Sequence, residues 1–196
     1  MSEHTPPESA ASRRGVPDNL SQFPLFRGIT GPYMEVLRRC LTTVQLNAGQ
    51  RLFDHGDVAT SAFLVLTGRL SLDMPLGEGG SRFLQIARLG PGTSVGELAL
   101  VEPGPRSLRA HAVETTTLVR VDVEEFTRLR ALRHPAAYQL LRNVCATTCG
   151  RLRHVNTFIE AELRGERGKA MSSEVAREEE ATRARGFLSR LFGGRG

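Results

Sequence analysis

The chain has 196 residues, 40% of them hydrophobic, with 26 Lys and Arg against 21 Asp and Glu and a formal net charge of +5. That length suits one domain with a real core plus tails and is too short for two full ones. No run approaches the roughly 18 apolar residues of a membrane span and no basic-then-apolar signal pattern opens the chain, so a cytoplasmic protein is expected.

The arginines are scattered, without a dense stripe or interleaved aromatics, which argues against nucleic acid. Cys40, Cys145 and Cys149 have no CxxC spacing, so neither a disulfide framework nor a zinc site is indicated. Residues 1–20 are polar, with Pro6, Pro7 and Pro17, and read as a disordered leader. Phe23-Pro24-Leu25-Phe26 suggests a short turn, and the run from Tyr33 to Leu41 a helix with Met34, Val36, Leu37 and Leu41 near one face. From Val44 to Leu72 the period changes to two, broken by turns at Asn47-Ala48-Gly49 and His55-Gly56-Asp57. Leu76 to Gly80 is a loop, Arg82 to Leu89 resumes a strand, and Ser107–Val113 and Thr116–Val121 alternate again. Short strands at such spacing with glycine turns predict a jelly roll or similar β-sandwich.

The helical period returns at Val123. Val123–Leu132 predicts a short helix with Phe126 and Leu129 on one side, His134-Pro135 begins another, and Tyr138 to about Leu163 runs long. Its apolar positions Tyr138, Leu141, Cys145, Thr148, Leu152, Val155, Ile159 and Leu163 form a seam wide enough for a partner helix. The fold class expected is mainly β with flanking α: a β jelly roll followed by a long C-terminal helix. His55 and His111 stand far from any second histidine or carboxylate at metal spacing and read as satisfied or solvent-facing, and no nucleophile motif supports catalysis.

Residues 89–112 carry the chemistry. Gly96 permits close approach of an anion and precedes Leu98, Ala99 and Leu100, a short apolar run at helical spacing whose first N–H groups would face that anion. After Pro103-Gly104-Pro105 reverses the chain, Arg106 offers a planar fork suited to two phosphate oxygens, and Ser107 adds a hydroxyl. Glu97 is out of place in an anion site unless its carboxylate accepts from a sugar hydroxyl beside the phosphate. Sugar plus one phosphate points to a nucleotide.

Gly96-Glu97-Leu98-Ala99-Leu100 followed by Pro105-Arg106-Ser107 resembles the phosphate-binding cassette of cyclic nucleotide-binding domains, the family of the catabolite activator protein and the regulatory subunits of protein kinase A. The resemblance runs over about residues 23–160 and includes Leu46 to Asp57 and Phe63 to Leu70 upstream. It implies that Glu97 holds the ribose 2′-OH and Arg106 the cyclic phosphate, with Ser107 beside them and Gly96, Leu98 and Ala99 completing the cradle. It also implies that the long helix pairs across a dimer axis and lids the purine; Arg151 to Thr157 matches the lid region and nominates Asn156 or Thr157 against the base. Val95, Leu108 and Arg109 depart from the family pattern, where an aromatic, a small residue and a Thr-like residue usually stand.

The domain is thus expected over residues 21–163, followed by a charged tail at 164–196 that reads as disordered, holds no recognition-helix pattern and leaves out DNA binding by a helix-turn-helix domain. Within it, residues 186–194 put Phe187, Leu188, Leu191 and Phe192 on one face if helical, a motif for a protein groove, with a membrane surface or no function as alternatives. The expected protein is a non-catalytic receptor for cAMP or cGMP, without cofactor or metal, homodimeric through its long helix and signalling through a protein partner. The alternatives are a nucleotide-independent interaction module with a relic cassette and a cyclic dinucleotide (c-di-GMP) receptor.

Overall fold

The computed structural model describes residues 15–76 and 82–166. Two four-stranded antiparallel sheets face each other. One has the order β1 (Leu41–Leu46), β8 (Thr116–Asp122), β3 (Ser61–Thr67), β6 (Ser94–Val95); the other runs β2 (Arg51–Phe53), β7 (Arg109–Ala112), β4 (Leu70–Leu76), β5 (Arg82–Leu89). This is the β jelly roll with flanking helices that the sequence predicts.

Period-two alternation explains the layering, because successive side chains of a strand leave opposite faces. In β3, Phe63 and Val65 join Val44, Leu46, Leu72, Ala110 and Leu118 in a core between the sheets, while Ala62 and Leu64 turn the other way onto the helices. The first sheet is therefore buried on both faces, and β3 reads as a continuous apolar run rather than a clean alternation.

The helical layer comprises α1 (Pro32–Leu37), α2 (Val123–Ala131) and α3 (Pro135–Glu166), with 3-10 turns at Leu20–Gln22, Pro24–Phe26 and Arg38–Cys40. The first helix ends four residues earlier than the sequence predicts. Leu41-Thr42-Thr43-Val44 is rich in β-branched residues and pairs along its length with β8, Leu41 opposite Val121, so the strand takes over. The end of the expected leader is also seated on the domain: Leu20 is fully buried, and Arg38 donates to the carbonyls of Val16 (3.2 Å) and Pro17 (2.9 Å). Residues 1–14, the loop at 77–81 and the tail from 167 on, with its motif at 186–194, lie outside the described residues.

Asp122 caps α2, its side chain accepting from the Glu125 N–H at 3.0 Å. Between α2 and α3 the chain reverses through Arg133, at φ 53°. The 32 residues of α3 span about 48 Å at the usual rise. Ala136, Ala137, Leu140 and Val144 bury its first turns, and Asn143 clasps the N-terminal segment by donating to the carbonyls of Leu25 (3.0 Å) and Arg27 (2.9 Å). Leu141, Thr148 and Val155 of the expected seam are half-buried, whereas Tyr138, Cys145, Cys149, Leu152 and Ile159 face outward. The exposed stripe is thus rotated slightly from the one read in the sequence. Among the described residues no helix is long and apolar enough to cross a membrane, and no group of three or more His, Cys, Asp or Glu is placed to hold a metal ion.

Candidate functional site

β6 delivers the chain into Gly96, which sits in the left-handed region (φ 69°, ψ 14°), and Glu97–Leu100 then form a single 3-10 turn. Two requirements fix glycine here. The conformation disfavours a side chain, and a Cβ would lie 2.1 Å from Nη1 of Arg106. The cassette arginine therefore lies directly over the glycine that opens the turn.

Arg106 is 7% exposed. Its backbone is clamped to the turn after β2, the N–H donating to the Asp57 carbonyl and the carbonyl accepting from the Gly56 N–H, both at 2.8 Å. Nη2 donates to the Ser61 carbonyl at 2.6 Å and Nη1 to the Gly96 carbonyl at 3.4 Å, while the guanidinium carbon stands 4.2 Å from the centre of the Phe53 ring, which stacks with Phe63. Burial lowers its pKa to about 10, opposed by the nearby charges of Asp57 and Glu97, so it is still a cation at neutral pH. Nε is buried without a partner.

Glu97 is 2% exposed. One carboxylate oxygen is ion-paired with Nη1 of Arg151 on α3, whose Nη2 also donates to the Ser94 carbonyl at 2.9 Å; the other, Oε2, is buried without a partner. Arg151 thus joins the long helix to the acidic half of the cassette. It lies in the segment matched to the lid, yet no local pattern distinguishes it from Arg153.

The other nominated residues divide. Ala99 is buried in the helix-facing core, Leu98 is 56% exposed, and Ser107 is exposed beside Arg106. Asn156 and Thr157 are exposed on α3, and Thr157 Oγ1 donates to the Arg153 carbonyl of its own helix at 3.0 Å. The α3 side chain on the cassette is Arg151.

The two departures after the Arg-Ser pair lead away from the cassette. Leu108 packs against the core between the sheets. Arg109 is drawn to the buried Asp73, Nη2 to Oδ2 at 3.1 Å, with its guanidinium 3.6 Å above the Phe83 ring. His111 Nδ1 lies 3.0 Å from the same Asp73 oxygen, and Ser71 Oγ donates to Oδ1 at 3.0 Å. His111 is therefore a satisfied histidine. Its carboxylate partner is invisible to local spacing because the two strands meet only in the sheet.

Residues 43–132 match the family model described as cyclic nucleotide-binding domain. This segment belongs to the cyclic nucleotide-binding domain family. Its relatives differ in what surrounds the domain. A lysophospholipase (nte1) of Neurospora crassa is 39% identical over 95 residues, 48% of this chain but 6% of that protein. A CRP-like cAMP-activated global transcriptional regulator of Mycobacterium tuberculosis is 26% identical over 123 residues, 63% of this chain and 54% of the regulator. The chain therefore spans only a small part of the first relative and about half of the second. Among solved structures, the catabolite activator protein of Thermus thermophilus superposes with a TM-score of 0.58 at 25% identity, covering 86% of this chain and 84% of the other.

Proposed function

We propose that this cyclic nucleotide-binding domain is a working receptor for cAMP or cGMP, non-catalytic in itself, with Arg106 and Ser107 on the phosphate and Glu97 on the ribose. The observation that carries the reading is a pair of orphans: Oε2 of Glu97 and Nε of Arg106 are both buried without a partner. Each belongs to an ionisable side chain, and an unpaired buried polar atom costs about 1–3 kcal/mol, which a ligand bearing a hydroxyl and a phosphate would recover. Gly96, Leu98 and Ala99 supply backbone to the same cradle. The regulator from M. tuberculosis, named as cAMP-activated, supports the choice of nucleotide.

The signal leaves through α3. A nucleotide that engages Glu97 competes with or reorients Arg151, and the helix follows; α3 then changes how it meets a second copy and a protein partner in the cytoplasm. Asn156 and Thr157 stand one to two turns beyond Arg151 and reach the base only if the helix moves.

A relic cassette has one observation in its favour, since Glu97 and Arg106 already have protein partners in Arg151, Ser61 and Gly96. A thermal melt separates the readings. A cyclic nucleotide at 100 times its Kd adds about 2.7 kcal/mol, roughly 5–11 °C in a domain of this size, and Arg106→Ala removes about 2–5 kcal/mol of binding. No shift with cAMP, cGMP or a cyclic dinucleotide leaves the interaction module, and a shift with the dinucleotide alone reassigns the ligand.

A further inference from the structure

The outward stripe of α3 is spaced 4, 3, 4, 3, 4, 3: Tyr138, Arg142, Cys145, Cys149, Leu152, Asn156, Ile159. Tyr138, Leu152 and Ile159 are 53%, 58% and 47% exposed, and Cys145 and Cys149 are exposed with them. That is a heptad pattern over three repeats, about 32 Å of helix, in which Arg142, Cys149 and Asn156 take one set of core positions and Tyr138, Cys145, Leu152 and Ile159 the other. A single asparagine in the core of such a pattern favours a parallel, in-register, two-stranded pair, because each Asn then meets its own counterpart. The stripe therefore fits a second copy of itself.

In that arrangement Cys145 faces the partner's Cys145, and Cys149, one layer on, faces the partner's Cys149. Helix axes 8–10 Å apart with Cα atoms on 2.3 Å cylinders put directly facing Cα atoms roughly 3.4–5.4 Å apart, a range whose upper part overlaps the span of disulfide-bonded pairs. We propose that Cys145 and Cys149 form an oxidant-controlled crosslink that turns a weak pair of chains into a covalent dimer. The inference rests on the pairing of long helices put forward above, but not on nucleotide binding. Seven side chains are few beside the 20–30 residues per side of a standard interface, so pairing alone is weak and the covalent bond decides its lifetime.

The oxidant is a low-molecular-weight disulfide such as oxidised glutathione. A thiolate of one chain attacks it, releasing one glutathione thiol and leaving a mixed disulfide; the partner's thiolate attacks that sulfur, releasing the second. Two protein thiols lose two electrons and two protons, and one oxidised glutathione becomes two thiols. The third cysteine does not compete: Cys40 is buried, and burial, with the charges of Glu125 and Asp122, pushes its pKa up to about 11.

The test treats the full chain at low micromolar concentration with oxidised glutathione and reads non-reducing electrophoresis beside sedimentation of the reduced protein. The expected result is a dimer band reversed by dithiothreitol, retained in Cys145→Ser and in Cys149→Ser, absent from the double variant although Cys40 remains, and formed at least tenfold more slowly by Leu152→Asp, whose site is exposed and tolerates the change. A monomer band for the parent, a crosslink in the double variant, loss in either single variant, or an unchanged rate in Leu152→Asp overturns the proposal. If the reduced chain sediments as a dimer yet does not crosslink, the pairing stands and the facing cysteines fall; if it sediments as a monomer and does not crosslink, both fall.

Discussion

Arg151 of α3 is ion-paired with Glu97, 54 positions earlier in the chain, so the acidic half of the cassette is held by the long helix rather than by the sheet that presents it. Arg106, the basic half, is held by the sheet, through Ser61 and Gly96. A ligand spanning the two halves would bridge the helix that pairs with the one and the strands that hold the other.

Arg151→Ala tests that division. Removing it leaves the carboxylate of Glu97 buried and unpaired, which should lower the stability of the nucleotide-free domain by about 3 kcal/mol. Hydrogen exchange should rise along α3 beyond Asn143, and cAMP should no longer alter that exchange even at saturation. An exchange response to nucleotide equal to the parent's would show that α3 is coupled to the site by another route.

Gly96→Ala should separate binding from folding. The added Cβ meets the tip of Arg106, a flexible side chain that can withdraw, and the left-handed backbone adds a strain of about 1–2 kcal/mol. The melting temperature should fall by a few degrees while nucleotide affinity falls as far as in Arg106→Ala. Retention of parental affinity in a titration would mean that the guanidinium need not sit over the turn.

Cys40 gives a pH dependence with a definite sign. Its thiol is held at about 11 in the folded chain, against about 8.5 in an unfolded one, so between these values the unfolded state binds fewer protons and stability falls as pH rises. Below about 8.5 the effect of Cys40 on stability is constant. Cys40→Ala should flatten the fall in denaturant midpoint between about pH 8.5 and 11, and in the native parent a thiol reagent at pH 8 should modify two cysteines quickly and the third only on unfolding. Equal reactivity of all three would contradict the burial.

Elements whose signals are local were legible in the sequence. The glycine turns and alternating strands gave the jelly roll, the spacing of Phe126 and Leu129 after Val123 gave α2, and the Gly-Glu and Pro-Arg-Ser pieces pointed to Glu97 and Arg106. What was not legible depends on distant chain. The strand at Leu41 wins over the helix only because β8 is there to pair with it, and Leu20 is one apolar residue in a polar stretch until the domain covers it. Arg151 and Asp73 are the clearest cases: each is an ordinary charged residue of its element, given a role by a partner dozens of positions away.

The clasp of Asn143 on the carbonyls of Leu25 and Arg27 gives α3 a fulcrum. Arg151 acts about 12 Å beyond it and the last described turn lies about 35 Å beyond it. A stiff rod pivoted at Asn143 therefore magnifies any displacement at the cassette almost threefold at its far end, so an ångström-scale adjustment around one carboxylate becomes a swing large enough for another molecule to sense.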